Sequence, residues 1–501
     1  MKRQAGVLLP LFSLPCPYGI GGLGEGAYRF VDFLRSAGQS VWQILPIGPT
    51  GMGDSPYQSF SAFGGNSYFI DLDALARDGL ITHEELSALP PASLENRVDY
   101  PWQAGRRMAL LRRAYERSER LEDAGDSLGE WVSDYALFMA LKDAHGGAPW
   151  WTWEETIRRR EASALCRARE KLSEAIGFHL FLQKTFFLQW DALRCYANQQ
   201  GVEILGDIPI YTALDSADVW ANPRLFQLDG DLRPIAVAGC PPDGFSPAGQ
   251  LWGNPLYQWD AHEQEGYAWW IARFAHCRRL YDRLRIDHFR GFDGYYAIPY
   301  GEKTAACGHW EKGKGRELFN KVKKELPDLK VVAEDLGFIT RSVEQLLEEC
   351  GFPGMRVLQF AFDSRDEGES SIHLPHLYKQ ECVAYTGTHD NETLRGWLWS
   401  LPEEDYEAVQ RYLDTQSTPR GNICQSLMAL LHQSSAQLTV VPLADYLQLG
   451  NEARINTPST TSGNWLWRVE QAQLTPRLAE EIRALTHGLG RELVKTEDSF
   501  A

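Results

Sequence analysis

Eight short runs rich in β-forming residues recur along the chain, at residues 7–9, 41–45, 203–208, 285–289, 331–334, 356–360, 382–386 and 438–442. Most are separated by stretches whose apolar residues fall three or four apart, the spacing of a helix with one buried face. Strands alternating with helices in this number predict an α/β fold, a TIM (β/α)8 barrel. Residues 27–36 and 178–198 have helical spacing, and the second of these returns the chain to the barrel.

Two intervals are too long for plain crossovers. Residues 50–176 form an insertion after the second strand, mainly helical at 106–117 and 134–144, and residues 211–280 form another after the third. With these insertions, 501 residues fit one catalytic barrel spanning 1–501. The last periodic stretch, 478–485, has helical spacing.

Composition narrows the class. Hydrophobic residues make up 44% and charged residues 23%, and no apolar run approaches a membrane span. The N-terminus imitates a signal peptide, but Pro10, Pro15 and Pro17 break its apolar region, so a strand running into a loop is expected. Nine scattered cysteines without metal-type spacing suit a reducing cytoplasm. A net charge of −17 disfavours nucleic acid and anionic membranes as partners. Aromatics reach 12%, with 17 Trp; such rings can stack on sugars, although core packing accounts for most of them.

The Gly19-Ile20-Gly21-Gly22-Leu23-Gly24 segment fits a dinucleotide fingerprint and precedes a helix. The next strand ends in Pro46-Ile47-Gly48 without the acidic residue such a site needs, and Pro15 and Pro17 spoil the tight turn. Asp229-Gly230-Asp231 lacks the further ligands of a calcium loop and is expected to be a turn.

Reacting groups of a TIM barrel sit where strands end, and here carboxylates close the strands: Asp207 the third, Asp287 the fourth, Glu334 the fifth, with Asp390 after the seventh. Acids converging on one rim suit glycoside chemistry, in which a carboxylate attacks the anomeric carbon and a carboxylic acid protonates the leaving oxygen. Arg285 and Asp287 share one face of a strand, so the guanidinium can hold the carboxylate ionised; alone, the same pattern describes a structural ion pair. Strand alternation sends only one of Glu334 and Asp335 inward, and the longer Glu reaches further. A nearby Asp390 would raise the pKa of Glu334 by like-charge repulsion, or it could cap a helix starting near Glu392.

Two loops, 53–60 and 239–246 leading to 252–255, mix prolines, aromatics and polar groups. They can be packed connections, or they can stack sugars and exclude water.

The assembled motifs resemble the amylomaltase family of 4-alpha-glucanotransferases over nearly the whole chain. They are Tyr18-Gly19-Ile20-Gly21, Asp54-Ser55-Pro56-Tyr57-Gln58, Gly206-Asp207-Ile208-Pro209, Pro241-Pro242-Asp243, Trp252-Gly253-Asn254-Pro255, Arg285-Ile286-Asp287-His288, Ala333-Glu334-Asp335-Leu336-Gly337 and Thr388-His389-Asp390-Asn391. The resemblance implies Asp287 as nucleophile, Glu334 as acid/base and Asp390 as transition-state stabiliser, with Arg285, His288 and His389 contacting the sugar or the nucleophile. It places Tyr57, Asp207 and Trp252 in the cleft, and Pro241 and Pro242 in a lid loop. The family usually lacks a C-terminal β-domain, which fits the helical spacing of 478–485, and it often has Asp where Glu392 stands.

The implied activity moves α-1,4-glucan segments between maltooligosaccharides by a retaining double displacement, without metal or organic cofactor, in a cytoplasmic monomer or weak homodimer. Retention requires Asp287 and Glu334 carboxyls roughly 5 to 6 Å apart. An α-amylase-type hydrolase and a non-catalytic glycan-binding protein are the alternatives.

Overall fold

The computed structural model describes residues 3–90, 96–118, 128–242, 248–337, 339–363, 371–416 and 422–491. In chain order the strands are β1 (Gln4–Leu8), β2 (Val41–Gln43), β3 (Glu203–Pro209), β4 (Ala236–Cys240), β5 (Gln250–Pro255), β6 (Arg283–Asp287), β7 (Gly294–Pro299), β8 (His309–Lys312), β9 (Val331–Ala333), β10 (Gly354–Val357), β11 (Cys382–Tyr385) and β12 (Leu438–Pro442). Eight of them form one parallel sheet in the order β10-β11-β12-β1-β2-β3-β6-β9. Each of the eight overlaps one of the runs read from the sequence. Every residue of β2, β9, β11 and β12 is buried, as expected for strands packed on both faces.

The sheet closes between β9 and β10 through the Ala333 N–H, which donates to Pro353 O at 2.9 Å. Asp335 extends this seam with its side chain. It accepts the Met355 N–H at 2.5 Å and Arg356 Nη1 at 3.1 Å, where a longer strand would have used backbone carbonyls. A β-carbon on Gly354 would lie 2.3 Å from the same carboxylate, so glycine is what lets the two strands meet.

Helices Glu25–Ser36, Ser173–Gln199, Ala268–Leu280, Gly315–Glu325 and Arg341–Cys350 follow β1, β2, β3, β6 and β9. Between β10 and β11 the described residues contain only 3-10 turns, at Leu358–Phe362 and Pro375–Leu377. Pro476–Thr486 completes the ring, and no β-domain follows β12 among the described residues.

One expected boundary falls elsewhere in the structure. The expected insertion at 211–280 includes Ala268–Leu280, which occupies the crossover position between β3 and β6, so the inserted part ends before that helix. Nor is this insertion self-contained. Its strands join an antiparallel sheet in the order β5-β4-β7-β8, and β7 and β8 come from the connection after β6, which has no long apolar run to betray an insertion. The insertion after β2 is mainly helical, including Met108–Arg117 and Trp131–Ala144.

The glycines of the rejected dinucleotide pattern serve close packing: β-carbons on Gly21 and Gly22 would fall 2.1 Å from Leu11 O and 2.5 Å from Phe69 O. Asp229 accepts the N–H groups of Asp231 and Arg233, both at 2.9 Å, which makes 229–233 a turn. No helix among the described residues is long and apolar enough to cross a membrane.

Candidate active site

The register of β3 against β6 sets Asp207 beside Arg285 and Pro209 beside Asp287. The guanidinium bridges two carboxylates, with Nη1 2.6 Å from Asp207 Oδ2 and Nη2 2.9 Å from Asp287 Oδ1. Asp207 is wholly buried, whereas the Asp287 side chain keeps 28% of its exposure at the end of its strand. The same spacing of two that put Arg285 and Asp287 on one face thus yields an ion pair that opens on the cleft.

β6 stops at Asp287 because His288 adopts left-handed backbone angles, φ 52° and ψ 49°. That turn directs the His288 N–H to Glu334 Oε2 at 2.7 Å, while Glu334 Oε1 accepts the Leu336 N–H at 2.7 Å. Alternation therefore separates the adjacent acids: Glu334 turns to the backbone beside Asp287 and Asp335 to the barrel seam.

Burial lifts the Glu334 carboxyl above the ordinary carboxylate range, and Arg285 and the two N–H donors oppose the shift. Burial also lifts Asp287, with Asp207, Glu334 and Asp390 adding repulsion and Arg285 opposing it. Two carboxyls raised together hold one proton between them into the neutral range.

Asp390 lies in the loop after β11. Its Oδ1 accepts Asn456 Nδ2 at 2.6 Å and lies 3.3 Å from His389 Nε2. It does not cap the next helix. Leu394–Ser400 is capped by Thr393, whose side chain accepts the Gly396 N–H, which leaves Asp390 half-buried and available to a ligand. The departure at Glu392 is harmless to this loop, because its carboxylate is taken up by Asn451 at 2.6 Å and Ser400 at 2.9 Å.

The loop after β2 brings Tyr57 into the same cluster. Its hydroxyl donates to Asp207 Oδ2 at 2.8 Å, and its ring stacks on His389 at 5.1 Å between centroids. Gln58 ties this loop to β5 through Asn254 Oδ1 at 3.0 Å and Trp252 O at 3.3 Å. Trp252 then stands edge-on to His288 with ring centroids 4.8 Å apart.

Burial depresses both histidines, His288 to about 3, so their rings are neutral near pH 7. Nε2 of His288 and Nδ1 of His389 are buried without a hydrogen-bond partner among the described residues. Neutral rings of this kind can donate to or accept from a sugar hydroxyl.

Pro241 and Pro242 follow β4, half-buried and exposed respectively; Asp243 to Ser246 of the expected lid lie outside the described residues. The other expected site residues form one connected cluster, from Trp252 through His288 and Glu334 to Asp287, Arg285, Asp207, Tyr57, His389 and Asp390.

A profile of the 4-alpha-glucanotransferase family matches residues 9–474. The chain belongs to this family. It is 45% identical to a 4-alpha-glucanotransferase of Aquifex aeolicus over 98% of this chain and all of that one, and 45% identical to one of Thermus thermophilus over 98% and 99%. The amylomaltase of Streptococcus agalactiae, solved in complex with acarbose, superposes with a TM-score of 0.94 at 41% identity, covering 98% of this chain and 100% of that one. The family inferred from the motifs is thus the family to which the chain belongs, and the barrel is the expected one.

The structure of this family member also contains site residues that sequence reasoning missed, all in the connection after β12. Arg454 Nη2 donates to Asp390 O at 2.8 Å, Asn456 binds the Asp390 carboxylate, and Trp465 backs both Tyr57 and His389 at 5.9 and 6.1 Å. Trp465 takes φ 61°, a conformation uncommon for a bulky residue. The available signal was positional, since a connection after the eighth strand of a barrel opens on the same rim.

Proposed function

We propose that the protein transfers α-1,4-glucan segments between maltooligosaccharides by double displacement, with Asp287 as nucleophile and Glu334 as acid and base. The observation that carries this assignment is the hydrogen bond joining Glu334 to the peptide beside Asp287, with Arg285 in contact with Asp287 alone of the two. Arg285 opposes the shift of both carboxyls but touches only Asp287, where its charge acts at the shorter distance. The shared proton is therefore favoured on Glu334 and the negative charge on Asp287.

Arg285 occupies Asp287 Oδ1, so Oδ2 attacks the anomeric carbon. As that bond forms, the glycosidic C–O bond breaks and the Glu334 proton passes to the leaving glucan oxygen. Glu334, now a carboxylate, takes the proton of an acceptor 4-hydroxyl, whose oxygen displaces Asp287 and restores an α-linkage. Asp390, held through Oδ1 by Asn456, offers Oδ2 to sugar hydroxyls whose hydrogen bonds strengthen as the ring flattens.

Tyr57 and Trp252 supply ring faces for stacking, and the neutral His288 and His389 supply hydrogen bonds to the same sugars. The 45%-identical relatives named as 4-alpha-glucanotransferases support this choice of substrate.

Incubating the purified protein with maltotriose alone and separating the products over time tests the proposal. Glucose together with a ladder of longer maltooligosaccharides, at nearly constant reducing ends, is the expected result. Glucose and maltose without longer chains would replace the transferase by a hydrolase, and unchanged maltotriose would overturn catalysis on this substrate.

A further inference from the structure

The loop that carries His389 and Asp390 is fastened at both ends by one side chain that no substrate reaches. Asp445 is 1% exposed and sits in the short helix Leu443–Tyr446 directly after β12. Its Oδ2 accepts the Thr386 hydroxyl at 2.6 Å, at the point where β11 gives way to the loop, and its Oδ1 accepts the Leu394 N–H at 2.7 Å, where the next helix starts. Residues 387–393 therefore span the interval between two hydrogen bonds to a single carboxylate.

The remaining contacts of this loop are made from the sides. Gln359 donates to Glu392 O at 2.9 Å, the Asn456 N–H donates to His389 O at 3.1 Å, and Asn391 closes on the Thr388 N–H at 2.8 Å. Gln359, whose backbone N–H donates to Thr386 O at 3.2 Å, also spans this interval, through a backbone amide and a neutral side chain. Asp445 sets the separation of the loop's two ends with a buried carboxylate whose oxygens are both engaged.

We propose that Asp445 is a positioning residue for transfer, acting through Thr386 and Leu394 to hold Asp390 and His389 at the distance the transition state requires. The proposal rests on the role given to Asp390 above. Because Asp445 and Thr386 touch no substrate, their loss acts on the geometry of the chemical step, and a misplacement of about 1 Å costs on the order of 100-fold in rate.

The test compares Asp445→Ala, Asp445→Asn, Thr386→Val and Asp390→Asn with wild type, by kcat and KM on maltotriose well below each variant's Tm. Asp445→Ala should lower kcat by about 100-fold and Thr386→Val by about 10-fold, each with KM changed less than about 3-fold. Asp445→Asn keeps an acceptor for the Leu394 N–H and can donate to the Thr386 hydroxyl, so it should retain most of the wild-type kcat. Loss of ground-state binding instead, with KM raised and kcat unchanged, would overturn the proposal.

If Asp445→Ala does not fold, Thr386→Val, which preserves side-chain shape, decides the matter. An inactive Asp390→Asn beside fully active Thr386→Val and Asp445→Ala would overturn the clamp alone. A fully active Asp390→Asn would overturn the role of Asp390 and the clamp with it.

Discussion

Glu334 accepts the backbone N–H of His288 at 2.7 Å, so the acid/base group is hydrogen-bonded to the peptide that directly follows Asp287. The two carboxyls that act together in transfer are positioned by one turn of backbone, and the left-handed conformation of His288 creates that turn. Their protonation is linked for the same reason.

A first prediction concerns pH and leaving group. Burial raises Glu334, so the acid form persists towards neutral pH and kcat/KM falls on the alkaline side as the shared proton is lost. It falls on the acid side as the pair gains a second proton, on Asp287. Glu334→Gln should lower kcat on maltotriose by about 10² to 10⁴-fold. With a glucosyl fluoride donor, which needs no protonation to leave, glycosylation of the variant should stay measurable and lose its alkaline limb. An alkaline limb that survives in the variant would assign it to another group.

A second prediction follows from linkage. Burial lifts Asp287 and Glu334 together, so above the ordinary carboxylate range the folded protein keeps one proton, shared by the pair, that the unfolded chain has released. Stability contributed by the pair is complete in the acid range and is lost as pH rises through its raised titration. Asp287→Asn removes the penalty. Its Tm should exceed the wild-type Tm by an amount that grows between pH 5 and pH 8, and parallel curves over that range would contradict the shift.

Much of this site was legible because parallel strands bury both faces and end in loops. Apolar runs located all eight barrel strands, and the carboxylates that punctuate them marked the rim. Strand boundaries slipped where a local conformation intervened: the run at 285–289 outlasts β6 because His288 turns left-handed, a state sequence patterning does not report. Arg285 was read as the partner of Asp287 from their spacing of two, but its second carboxylate, Asp207, comes from strand register across 78 residues. The same limit hid Asn456, Arg454 and Trp465, which reach Asp390 and Tyr57 only through the closed barrel. Asp390 as a helix cap was a fair local alternative, decided by Thr393 taking the capping position.

A third prediction separates the two jobs of Arg285. Replacing it with Met leaves the buried Asp207 charge with only the Tyr57 hydroxyl, and breaking a buried pair in this way costs about 3–5 kcal/mol. Lys can satisfy one carboxylate but lacks the planar fork that spans both. Urea unfolding should show Arg285→Lys losing less stability than Arg285→Met, while both lose kcat because Asp287 is no longer paired. Equal stability of the two variants would mean that Asp207 does not depend on a cation here.

A fourth prediction concerns Tyr57, whose hydroxyl and ring serve different partners. Its hydroxyl shares Asp207 Oδ2 with Arg285, whereas its ring packs against both His389 and Trp465. Phe keeps the ring and removes only the hydrogen bond to a charged acceptor, worth about 1.5–3 kcal/mol. Tyr57→Phe should therefore lower the urea midpoint by that amount of stability and leave KM for maltotriose within about 2-fold, since the stacked face is unchanged. Tyr57→Ala removes the stack as well, freeing the His389 ring and taking a sugar-facing surface from the cleft, so its KM should rise beyond that of the Phe variant. A Phe variant with the higher KM would instead put the hydroxyl in direct contact with the glucan, with Asp207 as its orienting partner.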